Sequence, residues 1–289
     1  MPRPGVPAIG ILGDVERITR TIDMAKSSWA VLRADRELLW LPVLSAIASL
    51  IAIAVFFVPA LLVNDGLTDA ETGQTNPMAI VLLVAGSLVV AMIAVFFQGA
   101  LVHGADERLG GGDPTVSSAI KGATARLPRL LGWAVLNFVV GSIIRALRER
   151  GGIVGALGGA IAEMAWNLVT FLAVPVVMIE NLGPIDTVKR STELFKRTGG
   201  ENGAAQVGFG LLGFVAVLPA VVVVFLGSAL GSGGLALAII VAVVYIAGVL
   251  VTLTALNAVF QTVLYRYAAD GVVPDEFGQT AIGGAFDHR

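Results

Sequence analysis

From Leu38 almost to the C-terminus, long apolar stretches alternate with short polar ones. A helix needs roughly 20 apolar residues to cross hydrocarbon, and runs of this length are too long for buried strands. The pattern predicts spans at about 38–63, 78–102, 130–147, 155–179, 205–230 and 235–261. Trp40 stands at the start of the first span, where an interfacial aromatic is expected. Pro42 falls in its first turn, where a missing N–H costs little, and Pro59 lies near its far end. Pro219 predicts a kink in the fifth. The fold class is an all-α integral membrane protein with six transmembrane helices. It divides into an N-terminal arm and amphipathic helix (1–37), a membrane domain (38–265) and a polar tail (266–289).

A second pattern lies between the spans. Val15, Ile18, Ile22, Ala25, Trp29 and Leu32 recur at helical spacing with charged residues between them. Val116, Ile120, Ala123 and Leu127 repeat this beside Lys121 and Arg126. In the third case Ile185, Val188, Thr192 and Phe195 form the stripe, with Asp186, Lys189, Arg190, Glu193, Lys196 and Arg197 elsewhere. Three amphipathic interfacial helices are thus expected, each ahead of a pair of spans. This suggests a threefold repeat of surface helix plus hairpin, although helices joining span ends on one side of a membrane share such a pattern anyway. Trp29, Lys189, Arg190, Lys196 and Arg197 are the candidate lipid contacts, because aromatic rings and basic side chains suit the headgroup layer.

Charge adds an orientation. Of the 19 lysines and arginines, all but Arg145, Arg148 and Arg150 fall on the side of the two termini. The positive-inside rule places that side in the cytoplasm of a multi-pass cell-membrane protein. The loop 64–77 is acidic and carries no basic residue. No cleavable signal peptide is expected, since the first long apolar run starts behind a charged segment.

Composition agrees with lipid as the solvent. Hydrophobic residues make up 56% of the 289 and charged residues 14%, against about 25% charged in soluble domains. Absence of cysteine excludes disulfides and thiolate chemistry. His103 and His288 do not make a metal site by themselves, and His103 reads as an interfacial residue.

Buried charge in a span is costly, so Glu163 and Asn167, four residues apart on one helix face, invite a functional reading with Arg145 as partner. They could mark a solute or proton path. The simpler reading, a carboxylate at the outer headgroups, is preferred. Gly151, Gly155 and Gly159 share a spacing of four that suits close helix contact, as do Gly227 and Gly231. Gly208, Gly210 and Gly213 match a dinucleotide-binding pattern but sit within a span without a preceding strand. No catalytic set, phosphate loop or metal-ligand spacing is visible, so no enzyme, cofactor, metal or nucleic acid is expected.

The runs SSWAVLRADRELLWLPVLSAI, WNLVTFLAVPVVMIEN and GPIDTVKRSTELFKRTGGEN resemble an uncharacterised family of six-span prokaryotic membrane proteins of actinobacteria and archaea. The chain departs from it at Gly199 or Gly200, where members carry tryptophan. More remotely, the layout is similar to the membrane domain of glycerophosphodiester phosphodiesterases. The resemblance implies fold and location, and no activity. The expected function is to organise membrane lipids or partner proteins at the cytoplasmic face. A small-solute transporter or channel is the alternative, and a homo-oligomer or another membrane protein is a further partner class.

Overall fold

A computed structural model describes residues 35–62, 76–197 and 201–271. The expected arm and amphipathic helix of 1–34, with Trp29, lie outside the described residues, as do most of the acidic loop and the end of the tail. The described residues are helical throughout, apart from turns. Two compact units emerge among the described residues, Asp35–Phe195 and a second that begins at Lys196.

The first unit opens with a 3-10 turn, Arg36–Leu39, that runs into α1 (Trp40–Leu62). α2 (Pro77–Leu109) starts cleanly because Asn76 accepts from the Met78 and Ala79 N–H groups and Pro77 takes the first turn. Its 33 residues give a length of about 50 Å, well beyond the roughly 30 Å of hydrocarbon. The two ends of α2 differ accordingly. Met78, Val81 and Val84 are exposed on its first half, as lipid-facing residues would be. Val95, Gly99, Ala100, Leu101, Val102, Gly104 and Ala105 on its second half are buried. There α2 receives α3 (Val116–Ala125), α4 (Leu127–Arg150) and α6 (Ala173–Glu180).

α3 begins with a reciprocal cap. The Ser118 N–H donates to Thr115 Oγ1 and the Thr115 N–H donates to Ser118 Oγ, each at 3.0 Å. Its buried residues, Ala119 and Ala123, are small, so its axis can approach α2 closely.

α4 and α5 (Gly152–Val169) form a hairpin. The glycines singled out by spacing sit at its closure: a Cβ on Gly159 would stand 2.8 Å from Arg148 Cβ. Only hydrogen fits between the two helices at that point. One stacked pair, Trp133 with Trp166, has ring centroids 6.3 Å apart and joins the same two helices lower down.

The expected span 155–179 is not one continuous helix. α5 stops at Val169 and α6 starts at Ala173. Pro175 supplies the reason, because it has no N–H to offer the Phe171 carbonyl and its ring clashes there. α6 is buried from Ala173 to Met178, on every side, and so belongs to the core of this unit. α7 (Pro184–Arg197) is the expected third amphipathic helix.

The described part of the second unit is mainly a hairpin of α8 (Glu201–Ser228) and α9 (Gly231–Asp270). Tyr245 donates its hydroxyl across to the Ala216 carbonyl at 2.9 Å, and Gly227 meets Ala238 near the turn. α8 runs through Pro219 as helix. α9 continues past the expected boundary at 266 to Asp270, where Gly271 at φ 70° ends it. Its last part is buried nearly all round, from Ala255 to Tyr265 with few gaps.

Among the described residues, five stretches are long and apolar enough to cross a membrane: Arg36–Leu62, Pro77–Leu109, Leu127–Arg150, Val154–Glu180 and Gly231–Asp270. Within α8, Gly213–Ser228 is a shorter apolar segment. Their outward side chains include Leu62, Val154 and Phe225, each at least 74% exposed. Such surface is untenable in water and suited to lipid, and the chain is a multi-pass membrane protein.

The α4–α5 contact can be tested with neighbouring glycines. Gly159→Ala should lower the thermal unfolding midpoint in detergent, at a cost of about 1–3 kcal/mol for overpacking. Gly158→Ala, where a Cβ meets nothing within 4 Å, should leave it level or raise it. Equal responses would mean that the hairpin does not close at Arg148.

Candidate functional site

Two polar regions stand out in the first unit, and they lie on helices that the sequence also marked. The first is the α4–α5 hairpin. Glu163 is half exposed and its Oε2 accepts from Arg148 Nη1 at 3.0 Å. Its partner is therefore Arg148 and not Arg145, which is exposed three residues earlier on α4. Asn167 is exposed and does not complete a cluster with them. The hydrogen bond formed nearby instead runs from Trp166 Nε1 to Asn137 Oδ1 at 2.8 Å. A signal for that pair exists in the sequence: Asn137 and Trp166 are equally far from the turn at Gly151–Gly152, as partners across a hairpin should be. The Arg148–Glu163 pair is more than half exposed on both sides, so it contributes at most about 1 kcal/mol in water.

The second region gathers around the corner between α6 and α7. Asn181 takes a left-handed conformation, φ 56° and ψ 37°, and ends α6. Arg126 Nε donates to the Met178 carbonyl at 3.3 Å, placing a cation at the negative end of α6. Arg129 lies beside Gly183. Arg190 Nε donates to both oxygens of Glu180, at 2.8 and 3.1 Å, and Arg190 also pairs with Glu193. Arg190 is only 25% exposed, so it clamps the corner rather than facing outward. Lys189 is 70% exposed and meets Asp186 at 3.2 Å. Lys196 and Arg197 are exposed in the last turn.

The seam that α7 buries differs from the stripe expected. Thr187, Ser191 and Leu194 are buried, while Val188 and Phe195 are half-buried flanks and Ile185 is 67% exposed. The reason is docking geometry. Pro184 closes on Gly132 of α4, which turns the side with small hydroxyl residues inward. The Thr187 and Ser191 hydroxyl oxygens are buried without a hydrogen-bond partner. On the outer side Ile185, Lys189, Glu193 and Lys196 follow one another at helical spacing.

A third polar site, missed in the sequence, is where α1 begins. Asp35 is 94% buried at its side chain, and Arg108 Nε lies 3.1 Å from its Oδ2. That contact is a charge pair without hydrogen-bond alignment, since the same oxygen has no hydrogen-bond partner. Burial pushes the Asp35 carboxyl above its usual 3.8; Arg108 opposes the shift, and Asp113, Glu37 and Glu107 add to it. The folded state then holds the proton more tightly than the unfolded chain. This contribution to stability is present in full below about 3.8 and is lost as pH rises through the folded value. Asp35→Asn should remove that dependence. The wild-type unfolding midpoint should gain on that of Asp35→Asn as pH falls from neutral toward the ordinary carboxylate range. A constant difference would mean that Asp35 is solvated.

Among the described residues no group of three or more histidine, aspartate or glutamate side chains is placed to hold a metal ion. Comparison with curated proteins returns no match, and comparison with solved structures returns none. Comparison with families returns one whose description reads "Family of unknown function (DUF6159)", matching residues 75–274. That match begins just before α2 and ends just beyond α9, and so takes in both described hairpins, the α6–α7 corner and most of the chain: the protein belongs to this family.

Proposed function

We propose that this is a non-enzymatic membrane protein that organises lipid or partner proteins at the cytoplasmic face. It would have six spans in three surface-helix-plus-hairpin repeats and both termini inside. The observation that carries this reading is the outer side of α7. Ile185 is exposed there one turn before Lys189, with Lys196 further along the same side and Arg197 in the last turn, above an underside docked on its own protein. An apolar side chain followed by lysines on one helix side suits the headgroup boundary, where the lysine stems lie along acyl carbons and the ammonium groups reach phosphate. Each basic residue near an anionic surface contributes about 1 kcal/mol. Asp186 and Glu193 offset part of this, leaving on the order of 1–2 kcal/mol.

A transporter or channel is the second reading, favoured by the broken helix at Thr170–Leu172, since transport sites often form where spans are discontinuous. Against it, Phe171, Leu172, Ala173 and Val174 around the break are apolar and buried.

A spin label at Ile185 tests the first reading. In bilayers containing phosphatidylglycerol it should be shielded from an aqueous relaxation agent, compared with neutral bilayers, and high salt should abolish the difference. Identical accessibility in both lipids would mark α7 as an ordinary solvated helix. Reporter fusions after Arg289 and within 65–74 should read cytoplasm and exterior respectively; the same side for both would remove the six-span arrangement.

A further inference from the structure

The short helix α3 carries features that its packing does not require. It lies on the last part of α2: Gly104 of α2 is next to Ala119, and the His103 ring rests on Gly122. A side chain at 122 would displace the imidazole, so the glycine keeps the two helices in contact there.

A concavity opens on each side of α3. One, of about 570 Å³, is lined by His103, Asp106, Glu107, Ser118, Lys121 and Gly122 with Ala125. The other, of about 840 Å³, is lined by Val116, Ser117, Ile120, Lys121, Thr124 and Ala125. Their chemistry is opposed. The first brings together two carboxylates, an imidazole and an ammonium. In the second Val116 and Ile120 present an apolar strip at a spacing of four, and Lys121 is its one charged residue. Lys121 lines both, so it stands on the crest between them. Ser118 Oγ donates to Glu107 Oε2 at 2.9 Å and ties the carboxylate wall to α3.

We propose that this crest is a binding site for a phospholipid whose headgroup carries both a phosphate and a primary ammonium, the phosphatidylethanolamine class. The assignment rests on the lipid-organising reading above and names the lipid and a site on a different helix. Three complementary pairings support it. The lipid phosphate meets the Lys121 ammonium. The headgroup ammonium enters the polar concavity toward Asp106 and Glu107. An acyl chain lies along Val116 and Ile120. A purely anionic headgroup would meet the two carboxylates at close range and be repelled. A choline headgroup has no N–H to donate to them. The level also suits a headgroup, because α2 is some 20 Å longer than the hydrocarbon, enough for this end to run through the headgroup layer.

The test is native mass spectrometry of the full chain released from detergent with lipids of identical acyl chains. The probes are phosphatidylethanolamine, its N-methyl and N,N-dimethyl derivatives, phosphatidylcholine and phosphatidylglycerol. Bound phosphatidylethanolamine should exceed phosphatidylcholine and phosphatidylglycerol by about threefold, the size expected of partly exposed charge pairs. Binding should fall stepwise with each methyl group, a series that needs no variant to fold. Lys121→Ala and Asp106→Asn should remove the preference, Lys121→Arg should restore it, and Lys189→Gln should leave it intact. A preference for phosphatidylglycerol overturns this site and leaves the α7 reading standing. Equal binding of all five lipids overturns it as well, as does a preference lost in Lys189→Gln and kept in Lys121→Ala.

Discussion

A helix that outruns the hydrocarbon must do something with its surplus, and α2 governs the first unit for that reason. Its surplus end has polar surroundings to meet, and its buried Gly99, Ala100, Gly104 and Ala105 leave room for neighbours to come close. α3, α4 and α6 take that room. The charged residues Asp106, Glu107 and Arg108 can then continue a helix that began as a lipid-facing one, because they lie beyond the hydrocarbon. Asp35 reaches Arg108 at this same level, so the beginning of α1 and the end of α2 meet there.

The α6–α7 corner solves a related problem. Pro175 interrupts a span, and the short helix that restarts behind it leaves its carbonyl end to be satisfied. Arg126, from the turn between α3 and α4, and Arg190 of α7 meet this end, one at a carbonyl and the other through Glu180. Basic residues on this side of the protein therefore divide between two tasks. Some neutralise helix ends and carboxylates; Lys189, Lys196 and Arg197 stay outward. Positive charge counted along a sequence cannot separate the two groups, because a guanidinium is spent or available according to what lies within reach.

The buried hydroxyls of α7 follow from the same docking. Thr187 and Ser191 are inward because Pro184 meets Gly132, and a helix held at its first residue has little choice of which side it presents. The unpartnered oxygens are a cost of that anchoring, on the order of 1–3 kcal/mol each, borne for a helix whose outer side is then oriented.

What the sequence determined by itself was the solvent and the element type. Backbone groups in hydrocarbon must bond internally, so runs such as 38–63 and 78–102 could only be helices. The close contact at Gly159 was legible for the same kind of reason, since local sterics fix it. Only the tertiary structure decided the partners. Glu163 took Arg148 over Arg145, and α7 buried Thr187 and Ser191 beside Leu194 while Ile185 stayed exposed. It also broke a span that hydropathy read as continuous, and it brought Asp35 to Arg108 across 73 positions of sequence. Periodicity reports which residues share one helix face. It does not report which neighbour that face meets, because long side chains choose by distance in three dimensions and a proline's missing donor matters only where the chain must pack around it.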